Sequence, residues 1–208
     1  MRSLSAFAVA TALTLVAAPV CASETAPPAP LVEFLSDLLA PEITIDSAEP
    51  VFAPPEIGSM LLRFGATGLA EIATATGGTL RSAGLPLPLS WICLLVPDAD
   101  GEKRLLLASD SMEAGAQPLV GLWMDAAPVE ETEREGCTST PADLAIGVPG
   151  LGASLSEIAA RFGIAPASLP VLNIVHEAAT AEGPALQHLQ YRLAGDHVIG
   201  LGLSQISL

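Results

Sequence analysis

Residues 68–77 read Gly-Leu-Ala-Glu-Ile-Ala-Thr-Ala-Thr-Gly, and residues 154–163 read Ser-Leu-Ser-Glu-Ile-Ala-Ala-Arg-Phe-Gly. Both stretches keep L-x-E-I-A-x-x-x-G, offset by 86 positions. Leu and Ile three residues apart share one helical face. Thr67 or Ser154 offers an N-cap, Glu71 or Glu157 lies in the first turn at the positive end of the dipole, and Gly77 or Gly163 ends the helix. Ser154 and Glu157 also stand at the spacing of a capping box. Each stretch therefore predicts a short helix. Downstream, Val120-Gly121-Leu122 matches Ile199-Gly200-Leu201 at an offset of 79. Both matches keep the same order, which predicts a duplicated unit with a shorter second copy.

Strand-like runs follow each helix. After the first come Trp91 to Val96, Arg104 to Ser109 and Leu119 to Asp125, with turn residues Pro97 to Gly101 between the first two. After the second come Val171 to His176, Leu186 to Leu193 and Val198 to Ser204, with Gly195-Asp196 as the last turn. The pattern is a helix followed by an antiparallel meander, twice. The expected fold class is α+β, two tandem helix-plus-antiparallel-sheet modules at 56–128 and 143–208, joined by an acidic linker at 129–142.

The stretch Gly152-Ala153-Ser154-Leu155-Ser156-Glu157-Ile158, closing at Gly163, and more loosely Gly65 to Ile72, resembles a known signature. That signature is G-x-[ST]-x-x-[EQ]-[VI]-x-x-x-x-G after an apolar stretch. It belongs to the beta-lactamase inhibitory protein and, for a single copy, to the SmpA/OmlA (BamE) lipoprotein module. The resemblance covers roughly residues 56–208. It implies that the two sheets join into one curved sheet with helices on the convex side, leaving a concave face that binds other proteins. The inhibitors' concave face is rich in aromatics, whereas this chain has two Trp, one Tyr and five Phe, so beta-lactamase inhibition is not carried over.

Composition excludes several function classes. Eight Lys+Arg against 23 Asp+Glu give a net charge of −15, which disfavours nucleic acid and anionic lipid as partners. An apolar fraction of 50% argues for a packed core. Arg2, the apolar run Ala6 to Val16, Pro19 and Val20-Cys21-Ala22 read as a signal peptide over 1–22, cleaved after Ala22. Cys21 sits where a lipid-attachment cysteine would, but Val20 is not the small residue that reaction favours. Export to the periplasm or beyond is expected, and no later segment reads as a membrane span. The remaining Cys93 and Cys137 form an even pair in an oxidising compartment, with no CxxC and no nearby His, so a disulfide is expected.

Residues 23–55 read as an acidic, Pro-rich arm. Within it Leu31, Phe34, Leu35, Leu38 and Leu39 line one face of a short helix stopped by Pro41, expected to dock on the body, with a partner-binding tail as the alternative.

Strand alternation sorts the faces. Val120, Leu122 and Met124 oppose Gly121, Trp123 and Asp125, and Ile199, Leu201 and Leu203 oppose Gly200, Gly202 and Ser204. The aliphatic set should meet the helices. Trp123, together with His188, Gln190 and Arg192, should then point to the open face as partner-binding residues. His188 and His197 flank the last turn and could meet across it as metal ligands, yet no HxH or HExxH spacing is present. Ser109-Asp110-Ser111 has no His in its own module, and no GxSxG, P-loop or GxGxxG occurs. No catalytic residue, metal or cofactor is therefore assigned. The expected function is non-enzymatic binding of an envelope or periplasmic protein through the concave sheet face. Two alternatives are an envelope hydrolase using His188 or His197, and a carrier of a small ligand or lipid.

Overall fold

The computed structural model describes residues 26–39, 44–84, 88–110, 117–165, 169–180 and 183–207. The signal-peptide reading lies outside them. All six expected strands form: β5 (Leu89–Asp98), β6 (Gly101–Ser109), β10 (Val171–Thr180), β11 (Gly183–Ala194) and β12 (His197–Ser207) are longer than their apolar runs, and β7 (Gly121–Asp125) is two residues shorter than the run from Leu119. The three expected helices form as α1 (Ala29–Leu39), α2 (Leu69–Thr76) and α4 (Leu155–Phe162). Short elements fill the rest: β1 (Thr44–Asp46), β2 (Glu56–Ile57), β3 (Met60–Leu61), β4 (Leu80–Ala83), α3 (Val129–Glu135), β8 (Thr138–Ser139) and β9 (Leu144–Ala145).

The expected architecture of two tandem helix-plus-sheet modules is not what these elements build. Strand accounts for 45% of the described residues against 21% helix, and nine strands form one mixed sheet. Its order is β1-β10-β11-β12-β7-β6-β5-β4, with β8 also on β5. β1 on β10 and β8 on β5 pair parallel, while the other pairings are antiparallel. A second sheet, β3-β2-β9, stands apart. The physical reason is that the stretches read as arm and linker also find strand edges and apolar faces to cover. The arm supplies α1 and β1, and residues 129–142 supply α3 and β8.

The repeated motif does recur as local geometry. Gly65 N–H donates to Leu119 O and Gly152 N–H to Val198 O, both at 2.8 Å. Leu69 N–H donates to Gln117 O and Leu155 N–H to Asp196 O, at 2.9 and 2.7 Å. β-Bridges Gly68–Pro118 and Ser154–His197 complete the correspondence. At the sheet centre β7 and β12 pair with Trp123 opposite Gly202, positions related by the same offset of 79. Of the two expected N-caps, Ser154 forms the full capping box with Glu157. Thr67 does not cap: Gly68 is the N-cap of α2, and the Thr67 hydroxyl accepts from Arg63 N–H and donates to Leu61 O. Gly77 and Gly163 close their helices at φ of 74° and 66°, a left-handed conformation that glycine adopts without strain.

The core is divided by the sheet. On one side Ile92, Leu105, Leu122, Leu189, Leu201 and Leu203 pack with Ile72 of α2, Ile158 of α4 and Ile57 of the small sheet. On the other, Trp91, Cys93, Leu106 and Trp123 pack with Leu31 and Phe34 of α1. Among the described residues no helix is long and apolar enough to cross a membrane.

Candidate functional site: the sheet face beneath α1

The alternation expected for β7 and β12 holds with two exceptions, Val120 and Ile199; Ile199 is 52% exposed, and Val198 takes the core position beside the register shift between β11 and β12. Leu122, Met124, Leu201 and Leu203 join the main core, and Gly121, Trp123, Gly200, Gly202 and Ser204 lie on the opposite face. Val120 departs from it: Leu119 takes the core position, and Val120 faces Leu35 and Leu38 of α1. The face expected to be open is covered. Trp123 is 1% exposed, His188 3% and Gln190 0%, while Arg192 stays partly accessible.

Three glycines make room for the cover. A Cβ on Gly202 would collide with the ring of Phe34, one on Gly200 would lie 2.5 Å from the ring of Trp123, and one on Gly121 would press on Leu35 and Phe34 at 3.2 and 3.3 Å. Phe34 therefore lies in a side-chain-free trough, 5.6 Å from the Trp123 ring centre and stacked at 6.2 Å on His188. Here the glycines matter for close approach, not for unusual backbone angles.

Polar groups line the trough. Asn173 Oδ1 accepts from His188 Nε2 and from Gln190 Nε2, each at 3.1 Å, and Gln190 Nε2 also donates to Asp37 Oδ2 at 3.0 Å. An amide oxygen can only accept, so the His188 proton sits on Nε2. Burial holds the His188 imidazole down to about 4, against the opposite pull of the Asp37 carboxylate. His188 Nδ1, Gln190 Oε1 and Ser204 Oγ have no hydrogen-bond partner among the described residues. Buried polar atoms are ordinarily satisfied, so three together mark a surface whose present cover is chemically incomplete.

A chain of charges links α1 to α3 along the same face. Glu33 pairs with Arg192 at 2.7 Å, and the Arg192 guanidinium lies over the Trp123 ring at 4.9 Å. Trp123 Nε1 donates to Asp125 Oδ2 at 2.9 Å, and Asp125 takes Arg104 through a two-point pair at 2.8 and 2.7 Å. Arg104 also reaches Glu131 at 3.0 Å and Glu135 at 2.8 Å. Burial disfavours the Arg104 charge, but the hydrogen bonds and charges of these acids outweigh it and raise its pKa. Burial likewise raises Glu135, against the attraction of Arg104.

The expected disulfide joins Cys93 of β5 to Cys137 just after α3, with Cα atoms 4.6 Å apart. Glu135 and both sulfurs offer ligand-type atoms within 4.8 Å of one another, but the sulfurs are bonded to each other and thiolates are the form that ligates metal.

The histidines do not assemble. His176 Nδ1 meets Ser47 O at 2.9 Å, and His197 is 59% exposed beside Asp196. The β11–β12 register places Ser204, not His197, opposite His188, so seven residues of strand, roughly 23 Å, separate the two histidines. Ser204, His188 and Asn173 do stand in nucleophile–base–orienter order, a grouping that strand parity across β10, β11 and β12 can indicate once the register is known. No hydrogen bond joins Ser204 to His188, both are covered, and an imidazole held near 4 is a poor general base at neutral pH. Ser109 is fully buried beside exposed Asp110, and Ser111 lies outside the described residues.

Fold and site together define a disulfide-tied β-sheet protein with one polar-lined face under an amphipathic helix. Set against models of protein families, curated proteins and solved structures, the chain matches none.

Proposed function

We propose that this chain is an exported, non-enzymatic binding module of the cell envelope, freed by cleavage after Ala22. It recognises an envelope or periplasmic protein through the sheet face bearing Trp123, His188, Gln190 and Arg192. The partner presents an amphipathic helix that takes the place of α1, with an apolar ridge for the glycine trough and an acid for Arg192. The observation that carries the reading is the trough itself, a floor of Gly121, Gly200 and Gly202 beside three unpaired buried polar atoms. The disulfide agrees with an oxidising compartment.

The test is affinity capture with residues 23–208 from an envelope extract, followed by titration of the captured protein. Trp123→Ala and Arg192→Ala should weaken association while the fold survives. Phe34→Asp should strengthen it, because α1 competes for the same face. Unchanged affinity in all three variants removes the proposal.

A further inference from the structure

The apolar stripe of α1 is seated over only half its length. Leu31 and Phe34 are fully buried, whereas Leu35 and Leu38, one turn on, are only partly so. Beneath that second half lies a cavity of about 570 Å³. Its walls include Leu35, Leu38, Leu89, Val120 and Ile206. Ile206 is one of three large apolar side chains left exposed among the described residues, and it is the one that lines this space. The volume falls within the range of about 300–1,000 Å³ usual for small-molecule sites. Asp110 sits at the rim, no Lys or Arg is among the described lining residues, and the chain carries a net −15. That field repels a carboxylate or phosphate head and accepts a neutral or cationic one.

We propose that this cavity binds a single-chain amphiphile with an uncharged or cationic head group, its alkyl chain lying between Leu35 and Leu38 of α1 and Val120 and Ile206 of the sheet. Because Leu35, Ser36 and Leu38 of α1 line the cavity, an occupant holds that helix in place. The site stands independently of the partner-binding reading, since it forms while α1 is docked.

The test is fluorescence titration of residues 23–208 with Nile red, a neutral apolar dye, followed by competition with dodecylamine, dodecanol and dodecanoate. Saturable one-to-one binding is expected. Dodecylamine should displace the dye roughly tenfold better than dodecanoate, and Asp110→Asn should reduce that preference. Ile206→Asp, at an exposed position, and Val120→Phe, which fills the space, should each weaken dye binding about tenfold or more. Saturating dodecylamine should also slow proteolysis of the arm. Absence of saturable binding, or binding indifferent to both cavity variants, overturns the site. A carboxylate competing as well as the amine overturns the head-group assignment.

Discussion

The ring of Phe34 fills the space that a side chain on Gly202 would occupy. One residue comes from an amphipathic arm helix and the other from the middle of the sheet, so a side chain at 202 and the Phe34 ring exclude each other. Gly202→Ala should therefore lift α1 while the sheet persists, seen as faster proteolysis of the arm and altered near-ultraviolet dichroism of Trp123. The double variant with Phe34→Ala should recover part of the lost stability, a coupling of about 0.5–3 kcal/mol. A Gly202→Ala protein with a protected arm and native melting would contradict this packing.

Acid should loosen the same contact. In water an imidazole takes its proton near 6.5, whereas His188 under α1 is held at about 4. Between these values the exposed state binds the extra proton, so docking is fully favoured above about pH 6.5 and weakens as pH falls toward 4. The full difference is roughly 3 kcal/mol. Denaturation at pH 7 and pH 4.5 should show a smaller loss for His188→Gln than for the wild type. Identical losses would mean that His188 is not the group responsible.

Arg104 pairs with three acids on the Trp123 side of the sheet, Asp125, Glu131 and Glu135. Arg104→Met should cost about 3–5 kcal/mol in chemical denaturation because the carboxylates are left facing one another. Arg104→Lys should fall between, keeping the charge but not the planar fork that meets Asp125 at two points. A full-strength lysine variant would show that charge alone suffices.

The bridge between Cys93 and Cys137 closes a 44-residue separation. On the chain-entropy account its loss costs about 4 kcal/mol, so Cys93→Ser should lower the melting temperature substantially. Reduction of the wild type that leaves melting unaltered would show that the bridge contributes nothing.

The local structure was largely legible in the sequence. The spacing of Leu31, Phe34, Leu35 and Leu38 announces α1, Ser154 with Glu157 announces the start of α4, and alternation along Gly121 to Asp125 places Trp123 opposite the main core. These signals act between residues a few positions apart, where periodicity and capping chemistry decide the outcome. Thr67 misled because a hydroxyl beside a helix start can as readily tie down the preceding turn, as it does with Arg63 and Leu61. Val120 misled because the chain breaks alternation just before β7.

What the sequence by itself determined is three of the four described helices, the six longest strands, the alternation from Gly121 to Asp125, and the cysteine pair. Only the tertiary structure decided how the strands assemble, that the Trp123 face is covered, and that His188 meets Asn173 and Phe34 while lying far from His197. The strand edges that receive β1 and β8, and the trough that receives Phe34, exist only once segments distant in sequence have come together. Burial and long-range pairing arise from that assembly, and no short spacing encodes them.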